Sequence, residues 1–231
     1  MSHTDMKYAL LEYMYSTTSR MNGNQRLVGL NLDFPYTYLN ASEAFVPPEK
    51  TGISSPAFLW QAPSSNAILV TGEKWAELHE FVSRSLDFRR AATTVPTVLT
   101  EKVVSKAYPA WLESLLQLCR LRGYVTLYPG LDTASTLATA HEDLSQVPEE
   151  YGAANPAPPK ERKEVVLGES SIDTLHTLPN DGDLLPLQEL PLLGWQGDET
   201  TVEKLDEEAR EYLEKFREAV GCKGEGRELF C

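Results

Sequence analysis

The sequence predicts an α/β fold. Amphipathic helical stretches alternate with short apolar runs closed by Gly or Pro, in the order helix, strand, strand, helix, helix, strand. The 231 residues are 42% hydrophobic and 24% charged, enough apolar material for one core-bearing body and a tail.

The elements follow in order. From Asp5 to Met21, apolar residues at Met6, Ala9, Leu10, Tyr13 and Met14 keep helical spacing, and Asn22-Gly23 supplies a stop. Arg26-Leu-Val-Gly-Leu-Asn-Leu is a buried strand closed by Pro35. Residues 35–56, rich in Pro, Ser and Asn, are expected to form an irregular loop long enough to suggest a function. Ala57-Phe-Leu-Trp and Asn66-Ala-Ile-Leu-Val read as strands around Pro63-Ser64-Ser65. Thr71 caps a helix whose expected buried stripe is Trp75, Leu78, Phe81 and Val82. Ala110 to Leu121 is a second helix, with Trp111, Leu115, Leu118 and Cys119 on its apolar side. Gly123 ends it, and Tyr124-Val-Thr-Leu-Tyr-Pro is the last strand of the body.

Charge divides the chain. Residues 1–145 carry 12 basic and 14 acidic side chains, whereas residues 146–231 carry 9 and 20. Pro148, Pro156, Pro158 and Pro159 bracket a small-residue stretch at the same boundary, and such a stretch lacks the apolar surface to offset the entropy of ordering it. The expected organisation is a body over 1–145, a Pro-rich acidic irregular segment over 146–199, and a C-terminal amphipathic helix over 200–221. In that helix Val202, Leu205, Ala209, Tyr212, Leu213, Phe216 and Val220 form the apolar stripe, and the other face holds Glu203, Glu207, Glu211, Glu214, Glu218, Lys204, Arg210, Lys215 and Arg217. A Glu211–Lys215 pair adds only ~0.3–0.5 kcal/mol, so the stripe is expected to lie on the body or on a partner.

The net charge of −13 argues against nucleic acid as the main partner, and no apolar run is long enough for a membrane segment. The polar N-terminus lacks the features of a signal peptide. Cys119, Cys222 and Cys231 suit neither a disulfide framework nor a CxxC zinc site, and Cys119 on an apolar helix face reads as core.

No nucleophile elbow or phosphate loop occurs. His79 follows Glu77-Leu but completes no HExxH, so solvated surface is its expected state. His141, in His141-Glu-Asp143, could ligate a divalent ion or exchange protons, although a polar loop end explains it as well. Asp33 and Glu101 are single carboxylates near element ends, where a general base could stand. The three tryptophans Trp60, Trp75 and Trp111 read as core. Spacing alone defines an α/β body and no reaction.

Two longer segments carry a resemblance. Pro56-Ala-Phe-Leu-Trp-Gln-Ala-Pro-Ser-Ser-Asn-Ala-Ile-Leu-Val-Thr-Gly-Glu-Lys-Trp, continuing to Phe81, and Leu121-Arg-Gly-Tyr-Val-Thr-Leu-Tyr-Pro129 resemble the glycosyltransferase 2-like proteins common in fungi. Those proteins carry Pro-Phe-Leu-x-Gln, then an apolar strand and Trp-x-x-Phe, and later Leu-Arg-Gly-Tyr-Val-Met-Leu-Tyr-Pro-Asn before a Ser/Thr-rich loop ending in His. Val28-Gly-Leu-Asn-Leu and the loop Thr133 to His141 fit the same pattern, so the likeness spans residues ~26–141. Ser65-Asn66 stands where the family has Trp-Gly, and Gly130 where it has Asn.

The resemblance implies a GT-A-like layered body of which this chain holds the acceptor-side half, the donor half being expected upstream. It also implies sugar transfer from a nucleotide sugar to a glycan or protein acceptor, with Mn²⁺ or Mg²⁺ on the leaving diphosphate. By resemblance His141 lies near the diphosphate and ligates the metal, Arg122 supports the diphosphate site, and Glu101 and Asp33 are candidates for the base. The one Asp-x-Asp, Asp181-Gly-Asp183, lies in the tail and reads as a turn. Family relatives often work in the secretory pathway, including the Golgi. The alternative is a non-catalytic, degenerate relative acting as a binding or interaction protein.

Overall fold

The computed structural model describes residues 26–35, 37–39, 43–50, 53–54, 57–64, 68–90, 95–98, 110–130, 187–222 and 228–230. The apolar run after Arg26 is strand β1 (Leu27–Asn31), buried along its whole length. The strands β2 (Glu49–Lys50) and β3 (Ile53–Ser54) form a small antiparallel pair. β4 (Ala57–Trp60) and β5 (Ile68–Val70) follow, then the helices α1 (Gly72–Arg90) and α2 (Trp111–Arg122) and strand β6 (Val125–Pro129). A short 3-10 turn at Leu187–Glu189 leads to β7 (Leu192–Leu193) and to helix α3 (Val202–Ala219).

The main sheet has the order β5-β1-β6-β4-β7. β1 and β6 run parallel at its centre, and β4 and β7 are parallel at one side. β5 joins β1 antiparallel, as β4 joins β6. Gly29 permits the close β1–β5 approach, because a Cβ there would stand 1.9 Å from the Leu69 carbonyl oxygen. Mixed pairing of this kind, with helices packed on it, bears out the α/β class.

Strand alternation sorts the core. Leu30, Ala57, Leu59, Val125 and Leu127 share one cluster with Leu190 and Leu205. Val28 joins the helices through Leu78, Phe81, Leu115, Leu118, Cys119 and Phe216. Phe58, Trp60 and Tyr128 gather Phe45, Leu116 and Leu193 into a third cluster. Phe58 stacks on Tyr128 with centroids 5.2 Å apart and an interplanar angle of 6°.

Gly123, at φ 64°, ends α2 in the left-handed conformation that a glycine adopts without a Cβ penalty. Its N–H and that of Tyr124 both reach the Cys119 carbonyl. Thr201 caps α3, its hydroxyl accepting from the Lys204 N–H at 3.3 Å. α3 packs on α2 and is docked at both ends: Leu205 joins the cluster on one sheet face, and Phe216 and Val220 join the helices.

Four expectations need correction. Trp75 and Trp111 are 55% and 49% exposed, not buried. The inward positions of α1 are Lys74, Leu78, Phe81 and Ser85, so its stripe runs one residue before Trp75 and passes through a lysine and a serine. Trp111 sits in the first turn of α2, before the residues that meet the sheet; Leu115, Leu118 and Cys119 are buried as expected. The segment 35–56 is not wholly irregular, since it holds the β2–β3 pair, a Thr37–Ala44 bridge and the buried Phe45.

Of the expected irregular acidic segment, residues 187–199 are described, and they hold the 3-10 turn, β7 and a Leu193–Glu199 bridge between stretches without regular structure. β7 extends the sheet there, and the Trp60 indole donates to the Gly194 carbonyl at 2.9 Å. On α3, Val202 is exposed, whereas Arg217 is buried and donates to the Glu228 carbonyl. Cys222 is disulfide-bonded, and Cys119 is a free, buried thiol as expected of a core cysteine. The expected helix over 5–21 and the segment 146–186 lie outside the described residues. Among the described residues no helix is long and apolar enough to cross a membrane.

Candidate functional site

Asp33 follows the carboxyl end of β1 and is 9% exposed. Its Oδ1 accepts the Phe34 backbone N–H at 2.8 Å, which fixes the carboxylate against its own turn. Two residues earlier Asn31 closes β1 at 1% exposure, and Gln61 just past β4 is equally buried. Gln61 Nε2 reaches the Cys119 carbonyl at 3.4 Å, and the Tyr128 hydroxyl donates to the Ala62 carbonyl at 2.7 Å. Burial pushes the Tyr128 phenol well up, and the nearby Cys119 and Asp33 push the same way. Gln61 lies past the end of β4 that meets the start of β6, whereas Asn31 and Asp33 lie at the carboxyl end of β1. Ligands of open α/β sheets bind at such ends.

Arg122 stands elsewhere. It is in the last turn of α2, just before β6 begins, and Val125 of β6 pairs with Leu27 at the start of β1. A five-residue strand spans about 16 Å, so Arg122 and Asp33 lie at opposite ends of the parallel pair. The Arg122 Nε donates to Glu77 Oε1 at 2.9 Å, and the Tyr124 hydroxyl donates to Oε2 of the same carboxylate at 2.7 Å. Lys74 lies 3.9 Å from Glu77 Oε2 and 3.9 Å above the Tyr124 ring. Burial, then the hydrogen bond to Glu77, pushes the Tyr124 phenol up. This cluster ties α1 to the α2–β6 turn. It gives Arg122 a structural role and separates it from the other described candidate.

Glu101 and His141 lie outside the described residues. His79 is exposed, as expected. Among the described residues no group of three or more His, Cys, Asp or Glu side chains is placed to hold a metal ion. Cys119 is fully buried, and burial pushes its thiol up, so core is its role.

Sequence reasoning missed Asn31, Gln61 and Thr126. The signal was present: Asn31 and Thr126 are polar residues inside strand runs whose other members are apolar or glycine, Leu27 to Leu30 and Val125 to Tyr128. No protein family, no curated protein and no solved structure matches the chain.

Proposed function

We propose that the chain is the acceptor-side part of a nucleotide-sugar-dependent transferase of the glycosyltransferase 2-like kind, and that its GT-A-like character lies in the β1-β6-β4 core. One observation carries this reading. The stretches that bear the resemblance, around Val28, from Pro56 to Phe81 and from Trp111 to Pro129, supply adjacent strands of one sheet and the two helices behind it. Motif residues far apart in sequence thus share one core.

Transfer to a hydroxyl needs a carboxylate beside the acceptor to take its proton. Asp33 is the described carboxylate at the carboxyl end of β1, and Glu101 remains the other candidate by resemblance. His141 keeps the proposed place near the diphosphate or its metal. When bound, Mn²⁺ or Mg²⁺ would neutralise the leaving diphosphate. Nucleotide sugar and glycan are the proposed partners, and the secretory pathway is the proposed compartment.

A saccharide-binding screen on immobilised glycans tests the reading, run with the full chain and with Asp33→Asn. That substitution keeps the oxygen facing the Phe34 N–H. The expected result is retention of a restricted set of glycans, weakened about tenfold or more by Asp33→Asn, equivalent to ~1.4 kcal/mol. Absence of binding to every glycan, with and without nucleotide sugar, would overturn it.

A further inference from the structure

Among the described residues, four buried side-chain polar atoms have no hydrogen-bond partner, and three of them lie on the neighbouring strands β1 and β6: Asn31 Oδ1, Asn31 Nδ2 and Thr126 Oγ1. Asn31 is 1% and Thr126 0% exposed. The register brings them together. Leu30 pairs with Leu127 across β1 and β6, and both belong to the cluster on the far face. Their chain neighbours Asn31 and Thr126 therefore project to the helix side, with Tyr128. Diagonal neighbours on one face stand about 7–8 Å apart at Cα, a span that one shared oxygen atom can bridge between two side chains.

A buried donor or acceptor without a partner is costly to leave unpaired, so three in one patch call for an explanation. The set of groups defines the chemistry. It comprises an amide oxygen that accepts, an amide nitrogen that donates and a hydroxyl that does either. A hydroxyl oxygen answers all three. A phosphodiester or a nucleotide diphosphate does not, because its ionised oxygens carry no proton for the amide oxygen.

We propose that Asn31 and Thr126 form a seat for one hydroxyl oxygen, supplied by an internal water or by a hydroxyl of a bound carbohydrate. The carbohydrate source rests on the acceptor-side reading above, and the water source does not. Both residues are closed off from solvent, so the oxygen enters through a local opening of the face under α2.

Crystals of the full chain at a resolution that shows water, with and without a soaked methyl hexoside, test this. Nuclear magnetic resonance of the Asn31 side-chain amide in solution accompanies them. An oxygen within about 2.7–3.2 Å of Asn31 and Thr126 in the sugar-free crystal supports the seat with water in it. Its replacement by a sugar hydroxyl, with a shift of the Asn31 amide resonance, supports the carbohydrate source. Water that stays put, with an unshifted amide, keeps the seat and removes that source. Absence of an oxygen there overturns the proposal, as does an Asn31→Leu/Thr126→Val double variant that melts several degrees above the parent.

Discussion

Arg122 donates from Nε to Glu77 Oε1 at 2.9 Å, joining the end of α2 to the second turn of α1. The other oxygen of that carboxylate takes the Tyr124 hydroxyl, and Lys74 completes the group from above the Tyr124 ring. A residue that resemblance assigns to a diphosphate site thus serves here as a bolt between two helices and a strand. Glu77→Ala should cost about 2–3 kcal/mol in urea unfolding, because it leaves partly buried charged donors unpaired. Tyr124→Phe should cost about 1 kcal/mol. A Glu77→Ala loss under 0.5 kcal/mol would show that solvent serves these groups equally well.

Large aromatics divide by helix phase. Phe216 is 1% exposed and its ring lies against those of Phe81 and Phe230, at 6.2 and 5.5 Å between centroids. Phe216→Ala should cost about 3–5 kcal/mol, whereas Trp75→Ala should stay within about 1 kcal/mol. Thermal scans of the two variants decide this. Equal losses would mean that Trp75 is covered in solution.

Much of the body was legible in the sequence, because its signals are local. Apolar runs bounded by Gly and Pro gave β1, β4, β5 and β6, and Gly123 ended α2 as a left-handed cap should. The helix faces were harder. Trp75 is large and apolar, so spacing puts it in the α1 stripe with Leu78 and Phe81, which are buried, whereas Trp75 itself is exposed. Lys74 takes the inward place because its cation meets the Tyr124 ring and Glu77, partners 50 and 3 residues away that no periodicity reveals. β7 was hidden for a similar reason: two leucines in a Pro-rich stretch become a strand when β4 offers its edge. Asn31 and Thr126 are polar within strand runs, and only the register of β1 against β6 shows that they share a face.

Acid should weaken the joint between α3 and the start of β1. Arg26 holds Asp206 through two hydrogen bonds, one of them Nη2 to Oδ2 at 2.7 Å, and the hydrogen bond to Arg26 lowers the Asp206 carboxyl below its ordinary value. A lowered folded-state value means that the unfolded chain takes up the proton first. The stabilisation is therefore complete above the unfolded value near 4 and is lost as pH falls through the folded one. Urea midpoints from pH 6 to pH 2 should fall less steeply in Asp206→Asn than in the parent. Identical slopes would exclude Asp206 from the acid response.

Cys119 should resist modification. Its thiol is fully buried and pushed up by that burial, so native protein at pH 8 should not react with a thiol reagent within an hour, and unfolded protein should react at once. Rapid native labelling at Cys119 would mean that α2 opens readily from the sheet.

The account turns on where a saccharide touches this chain. A titration of the isotope-labelled protein with glycans retained in the screen, followed by amide resonances, reads that directly. Shifts are expected to concentrate at Asn31, Asp33 and the end of β6, with the Glu77, Arg122 and Tyr124 cluster unmoved. Shifts centred on that cluster, or spread evenly along the chain, would contradict it.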